Sequence, residues 1–233
     1  MKRYAEHTSS LLYGVVTIIP LAIYYEISMF LVHRGMTAEV RNAADVMFKR
    51  LFASIGFDGP IAGVIMFAIL FIISAIKQGA HKEKTGITIH WHYYPVMLAE
   101  SALYAMLLFA MMALSMNMMS LPAMALSPVD IGYCLGAGVY EELLFRALLL
   151  QGLLFLAGKL PGKTPLLKTA ALLASALLFA GAHYIGAAGD DFAWLTFLTR
   201  TLGGVLLGLV YMLRGLGPAV YTHAIYDVYT ILL

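Results

Sequence analysis

Hydrophobic residues occupy this chain in long unbroken blocks, not in the alternation of a half-buried strand or the one-sided stripe of a soluble helix. The blocks cover residues 11–32, 61–76, 96–119, 129–158, 166–183, 194–213 and 219–233. Crossing the bilayer hydrocarbon takes about 20 residues of helix, so most of these read as membrane helices. The last has 15 residues and falls short of a full crossing. Helix-ending residues separate the blocks: Gly59-Pro60, then Pro161, Gly162 and Pro165, then Gly215, Leu216, Gly217 and Pro218, which read as a turn. Lys2 and Arg3 precede the first block. Its 22 apolar-rich residues and the lack of a small-x-small exit describe a first span, not a cleaved signal peptide.

Residues 40–55 follow another rhythm. Val40, Ala44, Met47, Phe48, Leu51, Phe52 and Ile55 recur at helical spacing, while Arg41, Asn42, Asp45, Lys49 and Arg50 fall largely opposite. The pattern predicts an amphipathic helix lying on the membrane surface as an interfacial anchor. His90, Trp91, His92, Tyr93 and Tyr94 stand at the edge of the third block, where aromatic residues form an interfacial belt. Histidines two apart do not share a helix face, which weighs against a metal site there. Gly132 and Gly136 lie one turn apart, as do Gly204 and Gly208, and each pair lets a neighbouring helix come close.

Composition points the same way. With 61% hydrophobic and 12% charged residues, the chain has about half the charge of a soluble domain. The expected fold is an all-α polytopic transmembrane bundle, a single domain over residues 1–233. It should hold about seven to eight membrane helices, some short or broken, plus the interfacial one. A net charge of +2 gives nucleic acid nothing to bind. Cys134 is the only cysteine, so no internal disulfide can form and it reads as packing. Nine Lys and Arg fall in the connections on the N-terminal side, against four in residues 33–60. That asymmetry predicts a cytoplasmic N-terminus.

Within the block 129–158 stand Glu141, Glu142 and Arg146. Each such charge at the centre of a membrane helix costs about 2.5–3.5 kcal/mol on insertion scales, so function or pairing must hold it there. Glu142 and Arg146 are four apart and share a face, whereas Glu141 points about 100° away. Glu142 and Arg146 are therefore expected to neutralise each other, and Glu141 to face a hydrated cavity. Later blocks add His183, Arg200, His223 and Asp227. Singly, a histidine reads as an interhelical hydrogen-bonder and Arg200 as paired or snorkelling. Together, imidazoles and carboxylates from three apolar segments form a set that chemistry needs and packing does not. His223 and Asp227 share a face, so the carboxylate can hold the imidazole tautomer or join it around a ligand.

These residues carry a resemblance. The order Glu141-Glu142-x-x-x-Arg146, Phe179-x-x-x-His183, His223-x-x-x-Asp227 resembles the pattern of the CAAX protease and bacteriocin-processing family of intramembrane endopeptidases. It spans about 129–227, and the first 128 residues carry no motif of that family. The resemblance implies hydrolysis of a peptide bond near the membrane, in a prokaryotic cell membrane, on a peptide or protein with a membrane-proximal or C-terminal tail. Catalysis would fall to Glu141 as general base, with His183, His223 and Asp227, supported by Glu142, Arg146 and Phe179. Some family members have Asn where this chain has Asp227, and an ionised carboxylate cannot donate to an oxyanion. Asp227 must then be protonated, orient His223 or ligate a cation. A metal-free glutamate mechanism is favoured because no compact zinc motif such as HExxH is present. Zinc on Glu141, His183, His223 and Asp227 is the alternative. Competing readings are a non-catalytic membrane protein that binds a partner or peptide, and a small transporter, against which stands the absence of any repeat.

Overall fold

A computed structural model describes residues 2–32, 34, 41–85, 89–116, 126–159, 165–186 and 189–232, and among them no strand occurs. The elements are α1 (Lys2–Thr8), α2 (Leu11–Val32), α3 (Ala43–Ala53), α4 (Pro60–Thr85) and α5 (Tyr93–Met116). Then come α6 (Pro128–Glu142), a π-helical segment (Leu143–Leu150), α7 (Gln151–Ala157), α8 (Pro165–Ala182), α9 (Trp194–Arg214) and α10 (Leu216–Leu232). Val40, the Met-rich end of the third block at 117–119, and much of the expected breaks at 120–128 and 160–164 lie outside the described residues.

Among the described residues, four helices are long and apolar enough to cross a membrane: α2, 93–114 of α5, α8 and α9. A shorter apolar run, Ile61–Lys77, lies within α4. Phe30, Val64, Leu103, Leu166 and Leu213 point outward, a surface suited to lipid and not to water. The protein is an all-α polytopic bundle.

Its axis is the short α10, which packs on α5, α6, α2 and α9. From Leu216 to Ala224 every residue is buried. The turn expected over Gly215 to Pro218 shrinks to Gly215 alone, because α10 already begins at Leu216. Pro218 falls in the first helical turn, where its missing N–H leaves no bond unmade. Gly215 has φ +86° and the carbonyl oxygen of Ser9 would lie 2.6 Å from any Cβ added there, so the corner admits no side chain.

The glycine pairs do what their spacing predicts. A Cβ on Gly132 would meet the Ser28 side chain at 2.7 Å, and one on Gly136 the Tyr25 ring at 2.3 Å, so α2 lies directly against α6. Gly204 and Gly208 bring α9 onto α8, where Ala176 and Leu172 would be 3.0 and 2.4 Å from an added Cβ. In lipid, close packing of this kind supplies the attraction that water supplies elsewhere.

The helix at 43–53 forms, but its polar side faces the bundle and is not opposite it. Asp45 is 0% exposed, while Met47 and Leu51 are 57% and 60% exposed. Arg41 and Lys49 reach back to Glu26 of α2 at 3.1 and 2.9 Å and to Asp45 at 2.8 and 3.1 Å. The helix is thus bound to α2 through Glu26, with apolar side chains such as Met47 and Leu51 turned outward. A further polar knot joins α1, α5 and α9: Arg214 bonds Glu100 through Nε at 2.5 Å and Nη2 at 2.8 Å, and Tyr4 donates to the same carboxylate.

Candidate active site

α6 starts on a capping box, with the Ser127 hydroxyl accepting from the Asp130 N–H and the Asp130 carboxylate accepting from the Ser127 N–H. Its last two residues are Glu141 and Glu142. The backbone then widens into the π-helical segment, so that Gln151 donates to the Arg146 carbonyl five residues back. An unbroken α-helix was the expectation here, since nothing in the residue types announces a wide turn. Wide turns inside helices occur frequently at functional sites. In this one the Phe145 carbonyl accepts the Ser175 hydroxyl of α8 at 2.8 Å.

Glu142 and Arg146 pair as expected, at 3.0 Å, both with almost no exposure. The Arg146 guanidinium also donates to the Gly204 carbonyl of α9 at 3.2 Å and lies over the Phe179 ring of α8, 4.4 Å from its centre. One side chain thus ties three elements together around a buried charge.

The same Glu142 oxygen accepts His223 Nδ1 at 2.8 Å. Of the two readings of Asp227, holding the imidazole tautomer or joining it around a ligand, the first is not what this geometry has: the Asp227 carboxylate is 3.7 Å from Nε2, too far for a hydrogen bond, and Glu142 sets the tautomer. With Nδ1–H committed to a carboxylate, the neutral ring presents a lone pair at Nε2. His183, just beyond α8, is fixed in the same sense, because its Nδ1 donates to the Phe179 carbonyl at 2.9 Å. Its Nε2 is 4.0 Å from Glu141 Oε2, and that of His223 is 3.9 Å from the same atom. Phe179 stands between the two imidazoles, with ring centres 5.0 and 5.9 Å away.

A cavity of about 320 Å³ opens beside this cluster, lined by His183, His223, Asp227 and Arg200 and by apolar side chains such as Leu108, Met112 and Leu207. Glu141 is not on that wall: its Oε2 is buried and has no hydrogen-bond partner among the described residues. The expectation that Glu141 faces the cavity is therefore replaced by one in which His183 and His223 face it and Glu141 backs them. Arg200 is paired, with Asp190, and lies over the Tyr184 ring at 5.2 Å. Asn42 of the α2–α3 connection donates to Glu141 Oε1 at 2.7 Å, a contact that no motif announced.

Two imidazole nitrogens and carboxylates are the donors zinc takes. The ligand atoms here stand 3.7–4.0 Å apart. No group of three or more His, Cys, Asp or Glu among the described residues is arranged to hold an ion.

Helices of membrane length enclosing carboxylates and imidazoles at one buried point define a polytopic membrane protein with a hydrolase-like polar centre. Residues 125–229 match the family model described as Type II CAAX prenyl endopeptidase Rce1-like, in agreement with the family that the motifs resemble. That family is one of proteases. Comparison with curated proteins and with solved structures yields no match.

Proposed function

We propose that the protein is an intramembrane endopeptidase in which Glu141 activates the attacking water. The observation that carries this reading is the placement of Glu141 Oε2 at 4.0 and 3.9 Å from the Nε2 atoms of His183 and His223. Groups separated by about 4 Å are too distant to bond directly and suit one bridging water. Glu141 takes the proton of that water, and His183 orients it toward the carbonyl carbon of the scissile bond. His223, in its imidazolium form, donates from Nε2 to the oxyanion, and Glu142 stabilises that form through Nδ1–H. Glu141 then returns the proton to the leaving amine. Asp227 stands beside His223 Nε2 and limits how the substrate carbonyl can approach. Arg146 keeps Glu142 in place and does not touch the substrate.

The apolar wall of Leu108, Met112 and Leu207 suits a tail with apolar side chains, entering from the lipid or from the membrane boundary. The substrate class is a peptide or protein whose cleaved end lies at the membrane. Protein in liposomes, incubated with candidate tailed peptides, should cleave one class of them. Glu141→Gln, which keeps the shape of the side chain, should lower kcat by roughly 10²–10⁴-fold. A Gln variant as active as the parent would remove Glu141 from the chemistry, and loss of turnover on metal depletion, restored by zinc, would replace the glutamate mechanism.

A further inference from the structure

The two oxygens of Glu141 have different surroundings. Oε2 faces the imidazoles, whereas Oε1 accepts a hydrogen bond from Asn42 Nδ2 at 2.7 Å, from a residue 99 positions upstream. Asn42 is the N-cap of α3: its Oδ1 accepts from the backbone N–H of Ala44 at 2.9 Å and of Asp45 at 3.4 Å. That double use settles the orientation of the amide. With Oδ1 held by the helix end, Nδ2 is the atom that can face Glu141, and it can only donate.

The position of Asn42 is itself fixed. Its backbone N–H donates to Tyr25 Oη at 3.2 Å, and that hydroxyl donates to the buried Asp45 at 2.9 Å. Arg41 and Lys49 fasten α3 to Glu26, and Tyr140, the residue before Glu141, donates to Glu26 at 3.0 Å. The base and the residue that grips it are thus anchored to one ion-pair cluster. Capping alone does not call for this residue, because Ser or Asp caps a helix as well. Among the strong capping residues only Asn adds an N–H donor that can reach a carboxylate.

We propose that Asn42 is a positioning residue for the general base. By holding Oε1 it turns Oε2 toward His183 and His223 and prevents the carboxylate from rotating off the water. This rests on the hydrolase reading given above and extends the working site to a residue outside the family-matched segment.

The test uses the full chain in liposomes, a tailed peptide that the parent cleaves, and three variants. Asn42→Ser and Asn42→Asp keep the cap and remove the amide N–H that reaches Glu141, the Ser hydroxyl being one bond shorter and occupied at the helix end, whereas Asn42→Ala removes both. All three should lose kcat by roughly tenfold to a hundredfold, the effect of one hydrogen bond to a charged group, with KM nearly unchanged. Only Asn42→Ala should also lower the unfolding temperature. Activity that follows stability instead, with Ser and Asp variants near the parent and Ala alone impaired, would make Asn42 a simple cap and overturn the proposal. Asn42→Ser adds no charge, so it decides alone if Asn42→Asp lowers the folded yield. An active parent and active Asn42→Ser beside an inactive Glu141→Gln would refute the clamp and leave the hydrolase reading standing. A parent that cleaves no peptide would overturn both.

Discussion

The clusters of charge around Glu26 and around Glu142 are built on opposite terms. In the first, Glu26 and Asp45 face Arg41 and Lys49, two acids against two cations, with the Tyr25 and Tyr140 hydroxyls filling the gaps. In the second, Glu141, Glu142 and Asp227 face a single buried guanidinium and two imidazoles, and the Glu141 Oε2 has no hydrogen-bond partner among the described residues. The first cluster is balanced and serves to join helices. The second holds an excess of acid, an arrangement that the proposed acid–base role of Glu141 would use. Asn42 is where they meet.

Substitutions can sharpen or break this contrast. The largest effect is expected from Arg146→Ala, which strands a fully buried Glu142 and should cost about 3–5 kcal/mol, read as lost folded yield and a lower unfolding temperature. Normal yield with lost turnover would instead bring Arg146 into contact with substrate. Next comes Asp45→Ala, which leaves Arg41 and Lys49 with Glu26 alone. It should cost about 1.5–3 kcal/mol by thermal unfolding. If its kcat falls far more than its stability, the first cluster is not merely structural. Gly136→Ala drives a methyl group into the Tyr25 ring and should cost about 1–3 kcal/mol, loosening α2 from α6. The smallest change belongs to Asp190→Asn, whose pair with Arg200 is largely exposed and should be worth about 0.2–1 kcal/mol. A larger loss of activity than of stability there would place Arg200 on the substrate.

Much of this was legible from the residues. The first span, 11–32, has the bounds of α2, and α8 and α9 differ from expectation by a residue or two, because block length and hydropathy determine membrane helices directly. The EExxxR, FxxxH and HxxxD residues do converge. Two things were hidden for different reasons. Glu26 carried a usable signal, an acid inside an apolar span, that went unweighed. Without it, the polar side of α3 could only be assigned to the membrane surface. Asn42 and the π-helical segment carried no signal, since an N-cap residue and a run of Leu and Phe are common everywhere. The helix period also misled locally: His223 and Asp227 share a face, but closer contact with Glu142 wins because α6 and α10 meet at Gly138, where an added Cβ would lie 2.8 Å from Ala224.

The bond between Arg214 and Glu100 has a consequence for biosynthesis. Glu26 meets its cations 15 and 23 residues later, and Glu142 meets Arg146 four residues later, so each acid acquires a counter-ion while the ribosome is still close by. Glu100 is 114 residues ahead of its guanidinium. A nascent chain halted before Arg214 emerges therefore carries that acid without the arginine that pairs with it here, and α1 can be fastened to the pair only once α9 has been made.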